Sequence, residues 1–205
     1  MIRVICTDIS GLSPSDYQTL YNKASGERKS RADRYRHQGD SLRCVTADGL
    51  LRYALGTSAY TVEKSPSGKP FIREREDFHY NLSHAGNWVA IAFGDSEVGV
   101  DVEKLRPDTD IEAISRCFFA PEERRYVLEE EKSRHQRFLK IWTGKESYLK
   151  YLGTGLQKDL TSFSVLNLGP EVRLHHRKLD DDHCLSLCTT CDDFLFELLD
   201  LQRLL

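Results

Sequence analysis

Two periods of hydrophobic and polar residues run along this chain. Leu42, Val45, Leu50, Leu51 and Ala54 recur at near-helical spacing, which predicts a core-facing helix that ends at Gly56. Ser13-Pro14 places an N-cap before a first-turn proline, predicting a helix to about Ala24. A basic helical stretch follows from Glu27 to Tyr35. Strand patterns fall at residues 2–9, 59–63, Phe78 to Leu82, Trp88 to Phe93 and Val98 to Glu103. Ser65-Pro66-Ser67-Gly68 reads as a turn, and Gly94-Asp95 as a hairpin turn between the last two strands.

Arg106-Pro107-Asp108 interrupts the pattern and sets a boundary between an N-terminal half, 1–105, and a C-terminal half, 106–205. The second half opens with three helical stretches: Ile111 to Cys117, Pro121 to Glu131 and Ser133 to Tyr151. Pro121 followed by Glu122 and Glu123 suits a helix start, where negative charge meets the positive dipole end. Strand patterns return at Thr161 to Leu166, Val172 to His176, Cys184 to Thr189 and Phe194 to Leu199. Helices cluster in the middle of each half, so the order fits an α+β fold better than a regular βαβ wind.

The 205 residues are 40% apolar, enough for a real core, and 30% charged with mixed sign. A net charge of −3 gives no reason to expect nucleic-acid binding across the surface. One basic patch stands out, with Arg28, Lys29, Arg31, Arg34, Arg36 and Arg43 against Asp33 and Asp40. No apolar run approaches the ~18 residues of a membrane helix, and the first ten residues are too short and polar for a signal peptide. A cytoplasmic protein with reduced thiols is the expectation. Cys184, Cys188 and Cys191 alternate with leucines and offer a single C-x-x-C, which argues for buried thiols over zinc. His175 and His176 are adjacent, so on a strand they point oppositely and cannot grip one ion together.

Candidate chemistry lies in a few short motifs. In Gly99-Val100-Asp101-Val102-Glu103, alternation puts Val98, Val100 and Val102 on a core face and Asp101 and Glu103 on the other. The ordinary reading is a half-exposed strand with acidic outer positions. Glu146 and Lys150, in Trp142-Thr-Gly-Lys-Glu-Ser-Tyr-Leu-Lys150, share a helix face at i,i+4 and would by default be a surface pair. Three carboxylates and a lysine together would suit a divalent cation and a phosphorylated substrate. Gly68-Lys69-Pro70 is a turn that delivers a lysine, a normal phosphate binder. Asn81-Leu82-Ser83-His84 offers donors from Ser83 and His84. Arg28, Arg31 and Arg43 form a solvated face or a phosphate site.

Taken in order, Lys69-Pro70, Asn-Leu-Ser-His at 81–84, Gly-Val-Asp-Val-Glu at 99–103, Phe118-Phe119-Ala-Pro-Glu-Glu and Trp-x-x-Lys-Glu-x-x-x-Lys at 142–150 resemble the phosphopantetheinyl transferase superfamily, surfactin-synthetase type. The resemblance spans about residues 26–156. It implies transfer of the 4′-phosphopantetheine arm of coenzyme A to a serine of an apo acyl or peptidyl carrier protein, with release of adenosine 3′,5′-bisphosphate. It implies dependence on Mg²⁺, or Mn²⁺ in its place. It further implies a monomer of two similar α+β halves related by a pseudo-twofold axis, with coenzyme A in the cleft between them. By position, Asp101, Glu103 and Glu146 match the metal-binding acids, and Lys150 the lysine on the pyrophosphate. Arg28, Arg31, Arg43, Lys69, Pro70, Ser83 and His84 match coenzyme A contacts. Catalytic roles fall to Glu146, Lys150 and Asp101, with Glu146 as ligand, general base or both. The carrier is expected beside residues 111–135, near Arg116, Arg124 and Arg125. Neither nucleic acid nor membrane is expected as a partner. A coenzyme A-binding regulatory protein without transferase activity and a metal-dependent phosphoesterase are the competing readings.

Overall fold

The structure, a computed structural model, describes residues 1–155 and 158–205. Leu156, the last position of the resemblance, lies outside the described residues. The strands are β1 (Ile2–Asp8), β2 (Val62–Lys64), β3 (Pro70–Ile72), β4 (His79–Ala85), β5 (Trp88–Gly94), β6 (Val98–Lys104), β7 (Arg173–Lys178), β8 (His183–Thr189) and β9 (Phe194–Leu198). The helices are α1 (Pro14–Lys23), α2 (Gly26–Ala32), α3 (Gln38–Leu55), α4 (Ile111–Phe118), α5 (Pro121–Leu128) and α6 (Arg134–Leu152). Among the described residues no helix is long and apolar enough to cross a membrane.

The fold is α+β, built in four layers. Strands β4-β5-β1-β9 form one sheet and β6-β8-β7 another, with β2-β3 a separate hairpin. Alternation along the strands supplies both faces of the first sheet. Ile5, Val89, Ile91 and Phe93 pack on α1–α3 with Leu20, Val45, Leu50 and Leu51. Ile2, Val4, Cys6, Ala90 and Ala92 turn the other way and meet Val98, Val100, Val102, Leu185 and Leu187 of the second sheet. The second sheet's remaining face lies under α6. Phe119, Val127, Phe138, Ile141 and Val165 close the outermost core.

Several local expectations differ from what forms. Gly94-Asp95 is no hairpin turn, because β5 pairs with β4 and β1 while β6 pairs with β8. The chain changes sheets there, and the tight hairpin is β4-β5, through Gly86-Asn87. The break near residue 105 does not divide the sheets. β6 precedes it and belongs with β7 and β8, whereas β9 returns to run parallel beside β1. The expected strand at 161–166 is a short 3-10 turn, Leu160–Ser162, followed by irregular chain. Its backbone is drawn elsewhere: the Val165 amide donates to Glu123 Oε1 at 2.7 Å. The basic helix stops at Ala32 rather than Tyr35, and the strand expected at 59–63 is Val62–Lys64.

No backbone ladder joins β4 to β6. Side chains do that work. Asn81 Oδ1 accepts from the Val100 amide at 2.9 Å, and Ser83 Oγ accepts from the Val102 amide at 3.1 Å. Two alternate side chains of one strand stand in for the carbonyls of a missing neighbour and satisfy buried amides. The sheets are thereby keyed in register at the point where Asp101 lies.

Candidate active site

The second sheet presents Gly99, Asp101 and Glu103 to α6, since their neighbours Val98, Val100 and Val102 are buried on the opposite face. Gly99 sets how near the helix comes. A Cβ there would lie 2.0 Å from the Ser147 carbonyl oxygen and 2.4 Å from the Tyr151 amide nitrogen. The bare backbone lets α6 rest directly on β6, which puts Lys150 within reach of Asp101.

Lys150 Nζ lies 2.7 Å from Asp101 Oδ1 and donates to Ser83 Oγ at 3.0 Å, while Ser83 Oγ donates to the same Asp101 oxygen at 3.0 Å. Asp101 is 3% exposed. Its other oxygen, Oδ2, is buried and finds no hydrogen-bond partner among the described residues. Glu103 accepts from the Trp142 indole at 3.4 Å, and that indole stacks with Phe138. Glu146 completes the acids on the wall of a cavity of about 410 Å³, which also holds Arg28, Arg31, Pro70, Ser83, His84 and Lys150.

Burial and mutual repulsion shape the charges. Exclusion of water lifts the Asp101 carboxyl above its ordinary range, with Lys150 and Ser83 pulling against it. Glu103 is pushed up to about 7, first by burial and then by the charge of Asp101. Glu146 is raised by the same two causes. Three carboxyls that resist ionising in one pocket, one of them with an unpartnered buried oxygen, mark a place short of positive charge. All the donors are oxygen, the set a hard divalent cation takes. Among the described residues no three His, Cys, Asp or Glu side chains converge as a metal cage. The acids fit the chemistry of such an ion while facing the cavity separately.

The basic rim comes from α2. Arg28 and Arg31, one turn apart, share a face. Arg28 is anchored by Asp48, a carboxylate 1% exposed within α3, at 3.8 Å. Arg31 donates to the Tyr35 hydroxyl at 3.0 Å. His84 sits on the rim of the cavity, where partial shielding from water and then the charge of Arg43 hold its imidazole below the usual range. Arg43 lies in an adjoining cavity that shares His84 and Glu103, held by the Gly86 carbonyl at 2.7 Å and Asp40 at 2.6 Å. Lys69 is not brought to the acids at all. Its ammonium binds Glu97, the Val98 carbonyl at 3.1 Å and the Tyr151 carbonyl at 3.0 Å.

Three contributors have no role of their own in the sequence reading, although Asn81 and Lys145 stand within its motifs. Asn81 lines the cavity and holds β6, and its period-two spacing from Ser83 was the available signal. Asp48, a carboxylate on the apolar side of α3, was a second. The third is Lys145, fully buried beside Glu146. Its ammonium meets Glu123 at 2.7 Å and the Leu160 and Phe163 carbonyls at 2.7 Å each. Glu123 in turn accepts from the Ala120 amide at 2.8 Å, so the start of α5, the 160–165 segment and α6 meet at one ion pair. Burial pulls the Lys145 ammonium below its usual value against the opposing pull of Glu123.

A sequence profile of the 4′-phosphopantetheinyl transferase superfamily matches residues 97–191. The chain is 35% identical over 148 residues to the 4′-phosphopantetheinyl transferase psf-1 of Bacillus pumilus, covering 69% of this chain and 63% of that protein. It is 32% identical over 160 residues to the 4′-phosphopantetheinyl transferase Sfp of Bacillus subtilis strain 168, covering 75% and 71%. It is 30% identical over 202 residues to the 4′-phosphopantetheinyl transferase ffp of Bacillus subtilis, covering 89% of each.

Proposed function

Because this chain belongs to the 4′-phosphopantetheinyl transferase superfamily, we propose that it moves the phosphopantetheine arm of coenzyme A onto a serine of an apo carrier protein. The observation that carries the reading is the gathering of Asp101, Ser83 and Lys150 in one cavity with Glu103, Glu146 and the Arg28–Arg31 rim. A regulatory binder of coenzyme A would need the arginines but not the three acids. In this reading coenzyme A occupies the cleft between two related halves, and the enzyme acts as a cytoplasmic monomer.

Asp101, Glu103 and Glu146 would hold Mg²⁺, or Mn²⁺ in its place, which when bound neutralises the pyrophosphate oxygens. Lys150 binds a non-bridging phosphate oxygen and stabilises the charge that grows as the anhydride breaks. Arg28, Arg31 and His84, with Arg43 beside them, orient the remaining phosphate of the nucleotide. The carrier's serine Oγ bonds to the phosphorus that bears the pantetheine. The anhydride bond on that phosphorus breaks, and adenosine 3′,5′-bisphosphate leaves with the bridging oxygen. The serine proton passes to a carboxylate at the site. Glu146, with its raised proton affinity, suits that role. Acidic carriers would dock along α4 and α5, where Phe118, Arg116, Arg124 and Arg125 are exposed.

The test is mass spectrometry of an apo carrier incubated with the protein, coenzyme A and Mg²⁺. A phosphopantetheine mass gain is expected with the wild type and none with Asp101→Ala or Glu146→Ala, both still folded by circular dichroism. No gain on any of several acyl and peptidyl carriers would sink the proposal, and near-normal transfer by either variant would remove that residue from the mechanism.

A further inference from the structure

The turn between β2 and β3 aims Lys69 with little freedom. The Ser65 amide donates to the Lys69 carbonyl at 2.9 Å, the Gly68 amide donates to the Ser65 carbonyl at 2.8 Å, and Ser65 Oγ accepts from the Lys69 amide at 3.1 Å. The side chain, 14% exposed, reaches past the hairpin. An ammonium has three hydrogens, and three acceptors take them: Glu97, the Val98 carbonyl and the Tyr151 carbonyl. None remains for a phosphate.

The two carbonyls belong to the elements that carry the site. Val98 begins β6, three residues before Asp101. Tyr151 lies in the last turn of α6, one residue after Lys150, and its carbonyl is among those a helix leaves without an internal partner. A cation there also meets the negative end of the helix dipole. Gly153, at φ +69°, caps the same helix end, and a Cβ on it would come within 3.2 Å of Lys69 Cδ. Glu97 orients the ammonium and is itself held by His79 Nδ1 at 3.1 Å.

We propose that Lys69, steered by Glu97, is a positioning residue: its ammonium clasps the start of β6 to the end of α6 and fixes Lys150 against Asp101, rather than binding a phosphate of coenzyme A. The inference rests on the transferase reading for its kinetic consequence. Its structural content stands apart from activity, because the clasp is also read by hydrogen exchange.

The experiment compares wild type, Lys69→Met, Glu97→Gln and the double variant, each verified as folded at the assay temperature. With the clasp lost, kcat falls between about 10- and 100-fold in Lys69→Met, as for a displacement near 1 Å, with KM for coenzyme A little changed. Glu97→Gln shifts kcat in the same direction by less. The double variant is no slower than Lys69→Met, since both act through one contact. Amide exchange at residues 150–153 speeds up in Lys69→Met. A raised KM with kcat intact, together with an unaffected Glu97→Gln, would instead make Lys69 a phosphate contact and overturn the proposal. Unchanged exchange at 150–153 would overturn it as well. If the wild type transfers nothing, the transferase reading fails by itself, and the exchange result still decides the clasp.

Discussion

Replacing Gly99 with alanine is expected to disarm the site while adding one methyl group. The new Cβ would stand 2.0 Å from the Ser147 carbonyl oxygen and 2.4 Å from the Tyr151 amide nitrogen. Ordinary carbon–oxygen contacts begin near about 3.3 Å. Both neighbours are helix backbone and cannot rotate away, so α6 must retreat by more than about 1 Å. Lys150 Nζ, now 2.7 Å from Asp101 Oδ1, would then lie at or beyond the limit of a hydrogen bond. Overpacking of this kind costs about 1–3 kcal/mol, or roughly 2–12 °C in melting temperature for a chain of this size. The loss of catalytic geometry costs roughly 100-fold in rate. Thermal melting by circular dichroism and single-turnover transfer to a carrier measure the two effects separately. A variant that melts with the wild type and transfers at its rate would refute the claim that α6 rests on bare backbone at Gly99.

Two further outcomes follow from charges in unusual places. Folded Glu103 keeps its proton to about pH 7, whereas the unfolded chain releases it near 4.5. The native state therefore binds more protons in that window, and stability falls as pH rises through it. In metal-free protein with chelator present, Glu103→Gln should remove that part of the slope, so wild-type and variant melting curves that stay parallel from pH 4.5 to 7 would contradict the assignment. Lys145→Met leaves the Glu123 carboxylate buried without its cation, at a cost of about 3–5 kcal/mol, which corresponds to roughly 6–20 °C in melting temperature. Adding Glu123→Gln should recover part of the loss. Calorimetry showing a drop under about 2 °C for Lys145→Met would show that the pair holds little.

The local half of this architecture was readable in the letters. The valines of β6 and the acids opposite them obey a strict period of two, and one buried face suffices to place them. The start and end of α6 and the cap at Ser13 were readable for the same reason, because they depend on neighbouring residues. Pairing is a different kind of information. Nothing within Val98–Lys104 says that its partner is β8 rather than β5, and Gly94-Asp95 offered a plausible turn for the wrong pair. Glu146 and Lys150 share a helix face, yet the close partner of Lys150 is Asp101 on another element. Lys69 reads as a phosphate lysine from its turn, and only the positions of Val98 and Tyr151 show where its hydrogens go. Thr161 to Leu166 reads as a strand, but a carboxylate from α5 claims one of its amides.

The parallel pairing of β1 with β9 bears on biogenesis. Register runs from Ile2 opposite Phe194 to Cys6 opposite Leu198, so β1 is translated long before β9, the neighbour it takes. While the ribosome is still translating, one edge of β1 stays open, and Ile2, Val4 and Cys6 lack the Phe194 and Phe196 side chains that pack against their cluster. Such distant contacts close slowly, and an open apolar edge invites pairing with other chains. The nascent polypeptide therefore depends on dilution or on chaperones until β9 emerges, and a ribosome stalled upstream of residue 194 would hold an aggregation-prone intermediate rather than a smaller working enzyme.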